Sequence, residues 1–130
     1  MRYLLDVSSL LAFGLNQHQF HARVAAWVRG QAGSTFHSCS ITELGFVRIL
    51  AKSPAYGLSV PAARDLLLAL KADLDFPVEF IADNNDIGSL PGWVQSPGQT
   101  TDGHLARLAK ANNAILATLD QAIPDTLLIP

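Results

Sequence analysis

Four carboxylates are spaced along the chain in a way that suits metal-assisted hydrolysis. Asp6 follows a short apolar run, Glu43 stands near the start of an amphipathic stretch, Asp102 near the start of another, and Asp120 follows a late apolar run. Each also has an ordinary structural reading. Asp6 can cap the helix that follows it. Ser40-Ile41-Thr42-Glu43 matches a capping box, in which the glutamate reaches back to the serine N–H. Asp102 falls in a first helical turn, where the dipole favours negative charge, and Asp120 is a turn former. Chemistry requires that the four converge. Carboxylates brought together resist ionising unless a cation compensates, and oxygen donors without clustered His or Cys favour Mg²⁺ or Mn²⁺ over zinc. Such an ion lowers the pKa of water and stabilises a leaving oxygen, which suits phosphodiester hydrolysis.

The elements around these acids decide whether they can meet. Strands are expected over Arg2 to Leu5, Thr35 to Cys39, Phe76 to Ala82 and Ala114 to Leu119, with a last edge strand over Leu127 to Ile129. Helices are expected over Ser8 to Leu15, Gln19 to Arg29, Ser40 to the stop at Ser53 and Pro54, from Ser59 and Pro61 through Leu70, and over Thr101 to Lys110. Asn112 or Asn113 can accept the left-handed turn that ends the last helix. Residues 83 to 98, dense in Asn, Asp, Gly and Pro, read as a surface loop with at most a short helix. Strands alternating with helices, apolar without strict period-two alternation, indicate an α/β fold: a central parallel sheet of four to five strands with helices on both faces. Ligands in such sheets gather beyond the carboxyl ends of the strands. Asp6 and Asp120 both fall there.

At 130 residues, 49% apolar and 15% charged, the chain has the size of one domain, residues 1 to 130, and enough apolar surface for a core. Cys39 is the only cysteine, which excludes an internal disulfide or a paired-cysteine zinc site and suits a reducing, cytoplasmic compartment. No apolar run reaches membrane-spanning length, and Asp6 interrupts the stretch that would pass for a leader. The formal charge of −2 argues against a nucleic-acid partner only until four acids are set aside for a cation, which leaves nine basic against seven acidic groups.

In order, LLDVSSLL, SITELGFVRIL, TTDGHLARLA and ILATLDQAI resemble a PIN-domain protein of the VapC-like toxin group, nearly end to end. The resemblance implies the PIN fold, Mg²⁺-dependent RNA cleavage, a homodimer and a cognate VapB-like antitoxin. It places the acidic site on Asp6, Glu43, Asp102 and Asp120, with Ser8 and Thr118 as supporting hydroxyls. Many members carry Asn where this chain has Ser8.

Two other classes compete. A receiver-like phosphoacceptor domain would use Asp83, after Phe80-Ile81-Ala82, but the first strand ends in one acid instead of a pair and the final strand offers no lysine. A non-catalytic RNA- or protein-binding module of the same fold is the second. Nucleotide hydrolysis is excluded by the lack of a GxxxxGK[ST] loop. His18 and His21, His37 and Cys39 read as structural residues. His104 could touch RNA, Trp93 could stack on an unpaired base, and Arg48, Lys52, Arg107 and Lys110 could line a phosphate path.

Overall fold

A computed structural model describes residues 1–120 and 123–130. In chain order the elements are β1 (Arg2–Leu5), α1 (Val7–Gly14), α2 (His21–Arg29), β2 (Thr35–Ser38), α3 (Ser40–Lys52), α4 (Val60–Lys71), β3 (Val78–Phe80), α5 (Thr100–Ala111), β4 (Ile115–Thr118) and β5 (Leu127–Leu128). Two short 3₁₀ turns, Ile87–Ser89 and Pro97–Gln99, punctuate the long loop before α5.

All five strands pair in parallel in the order β3-β2-β1-β4-β5. The chain winds outward from β1 to β3, then returns to place β4 on the other side of β1. The strand order therefore reverses between β1 and β4. That is where a crevice opens at the carboxyl edge of a doubly wound sheet.

The sheet is covered on both faces. Alternation along β1 sends Tyr3 and Leu5 into a core with α1 to α4, including Leu10, Trp27, Phe46 and Leu67, and Leu4 into a second core with Leu105, Leu108 and Leu116. α3 and α4 pack as an antiparallel pair, as their sequence spacing suggests. Gly45 lets α3 approach the start of α1: a Cβ there would stand 2.6 Å from Val7 Cγ2.

The ends of several elements differ from their expected bounds. β3 keeps only three residues of the expected seven: it starts at Val78 because Pro77 has no N–H to give a ladder, and it ends at Phe80. α2 begins at His21, with Phe20 in the capping position and no side-chain cap. α5 ends as expected through a left-handed asparagine, Asn113, at φ 54°. No helix among the described residues is long and apolar enough to cross a membrane.

Candidate active site

Asp6 is the best-anchored acid of the chain. It directly follows β1, its N–H donates to Ala117 O of β4 at 3.2 Å, and its carboxylate caps α1 by accepting from Ser9 N–H at 2.9 Å. The cap expected from sequence is present, and it coexists with further bonds. Ser9 Oγ donates to Asp6 Oδ1 at 2.8 Å and lies 3.0 Å from Ala117 O, Ser8 Oγ donates to Asp6 Oδ1 at 3.0 Å, and Thr118 Oγ1 donates to Asp6 Oδ2 at 2.5 Å. Thr118 also accepts from Asp120 N–H at 3.0 Å, so one hydroxyl ties the two strand-end acids together. Asp6 and Ser9 are buried; Ser8 is exposed. Sequence reasoning named Ser8 and passed over Ser9, whose signal was its place three residues after the cap, where side chain and N–H both turn toward the capping acid.

Asp102 comes to the same place from α5. Asp6, Ser8, Asp102 and Asp120 line one cavity of about 450 Å³, together with Arg48 of α3 and the apolar side chains of Leu11, Ile49 and Leu105. Burial raises the Asp102 carboxyl above its ordinary range, and the charges of Asp6 and Asp120 raise it further.

Glu43 stands at the same end of the sheet but does not line that cavity. Its Oε2 accepts from Ser38 Oγ at 2.5 Å and from Lys71 Nζ of α4 at 2.7 Å. Nor does it close the capping box. The box forms one residue earlier: Cys39 is the N-cap, its N–H donates to Thr42 Oγ1 at 2.9 Å, and the helix begins at Ser40. Ser38 and Lys71 were absent from the sequence reading. Lys71 lies 28 residues from Glu43, and only the packing of α4 on α3 brings it there.

A model of the PIN domain matches residues 3–126. The chain is a VapC-like member of the PIN domain family. Among curated relatives of this PIN domain is Ribonuclease VapC44 of Mycobacterium tuberculosis, 36% identical over 129 residues, covering 95% of this chain and 89% of the relative. Ribonuclease VapC38 of the same organism is 32% identical, covering 92% and 86%. In fold, this PIN domain is similar to a chain in the crystal structure of VapBC2 from Rickettsia felis bound to a DNA fragment from their promoter, with a TM-score of 0.59 at 18% identity, covering 98% and 96% of the two chains.

Whether the PIN-domain acids suit a divalent ion can be tested on their chemistry. As the side chains lie, no group of three His, Cys, Asp or Glu among the described residues encloses a cation position. The donor set nevertheless fits a hard cation, since Asp6, Asp102 and Asp120 offer only oxygens. The Asp102 carboxyl is raised by burial first and by the charges of Asp6 and Asp120 second, and a cation beside it would offset both.

The remaining candidates separate clearly from this cavity. Asp83, the acceptor a receiver-like reading would require, bonds through Oδ2 to His104 Nε2 and through Oδ1 to Asn85 N–H at 3.0 Å. Burial pushes its carboxyl up, but the bonds from His104 and Asn85 and the His104 charge outweigh that and hold it below its ordinary value. His21 Nδ1 bonds to Ala12 O at 2.8 Å and His18 Nδ1 accepts from Phe20 N–H, both structural uses. Cys39 is buried in the α5-side core. His37 is buried in β2, where burial and the Arg2 charge lower its pKa against the opposing pull of Glu79.

Proposed function

We propose that this PIN domain, residues 1 to 130, is a Mg²⁺-dependent endoribonuclease and the toxin of a toxin–antitoxin pair. Mn²⁺ is a suitable substitute. The reading includes a cognate VapB-like antitoxin, a homodimeric, cytoplasmic protein, and RNA as substrate. The single observation that carries it is the convergence of Asp6, Asp102 and Asp120 on one cavity at the point where the strand order reverses. The ribonuclease names of its relatives support the reading, and the likeness to a chain of VapBC2 fits it in fold.

A divalent ion held by these carboxylates would supply activation of water and neutralisation of charge on the phosphate. The chain's own residues do the rest. Four hydrogen bonds fix Asp6 in one rotamer, so its free lone pair has one direction. Thr118 transmits that orientation to the turn bearing Asp120. Asp102 contributes from a rigid helix, and Arg48 supplies positive charge at the same cavity for a phosphate oxygen. Glu43 is proposed as the fourth acid, which would hold the cation in place of the Lys71 ammonium now bonded to it.

The test is cleavage of a structured RNA by purified protein with Mg²⁺, beside the same reaction in chelator and with Asp6→Asn. Cutting should stop in chelator and fall about a thousandfold in the variant, a loss of ~4 kcal/mol of transition-state stabilisation. Asn is an equally good helix cap, so the fold should persist. Equal cutting in all three would overturn the mechanism. RNA bound by the wild type but never cut would favour the binding-module alternative.

A further inference from the structure

α5 serves two cavities. Thr101, Asp102 and Leu105 face the acids, while Ala106, Arg107 and Lys110 line a second cavity of about 670 Å³, which shares no lining residue with the first. Its other wall is the loop from Gly88 to Trp93, and Asp125 stands at its edge. Arg107 and Lys110 are exposed, and neither is ion-paired with an acid among the described residues. Trp93 is half-buried against the α5-side core. The loop is seated directly on the helix at Gly103, where a Cβ would collide with Val94 Cγ2 and touch Pro91 Cδ. The loop bearing Trp93 is therefore held close against α5.

An indole and two cations without an acidic partner among the described residues, lining one open cavity, suit an unpaired nucleotide better than an apolar protein segment. Bases stack on aromatic side chains, and cations track the phosphates of a single strand. Asp125 can accept from an exocyclic amino group or a 2′-hydroxyl, which gives the cavity polar selectivity while leaving its lining net positive. Lys110 lies eight residues beyond Asp102, about 12 Å along the helix, a span of a few nucleotides. We propose that this cavity holds the unpaired nucleotides of the substrate RNA flanking the scissile bond, with a base on Trp93 and phosphates on Arg107 and Lys110. The inference rests on the nuclease reading above.

The test is binding of a fluorescein-labelled single-stranded RNA of about 12 nucleotides, in chelator so that nothing is cut, followed by anisotropy across a salt series. Arg107→Gln with Lys110→Gln should weaken binding roughly tenfold or more and lower the slope of log affinity against log salt by about 1.4, the value for two released phosphate contacts. Trp93→Leu should cost roughly tenfold, and Trp93→Phe should recover most of it. Arg29→Gln, on α2, serves as the control for charge alone and should change neither quantity. Because Trp93 also packs on the core, the exposed cation pair decides the matter if Trp93→Leu fails to fold. A double variant with wild-type affinity and slope overturns the subsite. If that variant also cuts RNA normally with Mg²⁺, the nuclease reading survives alone. If wild type neither binds nor cuts RNA, both fall together.

Discussion

Asp102 and Asp83 are both tied to α5, one as part of the helix and the other through His104, yet their carboxyls shift in opposite directions. Asp83 ends on an imidazole and a backbone N–H, and its charged form is favoured. Asp102 is desolvated at the cavity wall beside Asp6 and Asp120, and its charged form is penalised. That penalty lowers stability, and a bound cation would offset it, so the difference sets an acid that holds the fold against one that costs it stability.

Glu43 tests that division most sharply, because by its contacts it belongs with Asp83 and by its place beyond β2 it belongs with Asp6. As the fourth acid it should lose cleavage by roughly ten- to a hundredfold on Glu43→Gln. Thermal stability should fall slightly as well, since the amide oxygen still accepts from Ser38 but the Lys71 ammonium loses its charged partner. Full activity accompanied by a lowered melting temperature would assign Glu43 to the structural pairs. Thr118→Val comes next. Among the described residues its hydroxyl serves the two acids, donating to Asp6 and accepting from Asp120 N–H. Roughly tenfold slower cleavage and weaker Mg²⁺ activation are expected. Activity equal to wild type would show that Asp6 keeps its orientation from the α1 cap alone.

How far these distinctions could be read in sequence depends on the distance over which each is made. Asp6 as cap and strand end was legible, because an apolar run followed by a helical pattern fixes where the acid falls. The convergence of Asp102 and Asp120 was legible only jointly, through the α/β alternation. The strand order that puts β1 beside β4 leaves no local trace, nor does the pairing of Asp83 with His104 across 21 residues. The capping box was misplaced by one residue for a local reason. Thr42 can reach the Cys39 N–H with its own hydroxyl, so the glutamate one position later is released to Ser38 and Lys71. Charge pairs made by helix packing are set by tertiary contact, and side-chain type alone does not rank them.

Asp83→Asn addresses the stabilising half of the comparison. Hydrogen bonds to a charged group contribute more than neutral ones, and with partial exposure the loss should be about 1 kcal/mol at neutral pH. The folded carboxyl lies below its unfolded value of 3.8, so this stability is present above that value and is lost as pH falls through the folded one. Chemical denaturation at pH 7 should therefore separate variant from wild type, and the gap should close at the acid end. A gap of constant size would mean that the His104 contact acts through packing and not through charge.

The smallest expected effect is the opposite one. The folded Asp102 carboxyl lies above its unfolded value of 3.8, so between the two the folded state binds more protons and the protein loses stability as pH rises through the folded value. Asp102→Asn removes that loss. In chelator at pH 7 the variant should be more stable than wild type by about 0.5 kcal/mol, a difference that disappears as pH approaches 3.8. Adding millimolar Mg²⁺ should reverse the order, because an ion bound by the folded wild type stabilises it by mass action while the variant has lost a ligand. A variant less stable than wild type in chelator would place Asp102 with Asp83, among the acids that hold the fold, and the contrast between the two faces of α5 would fail.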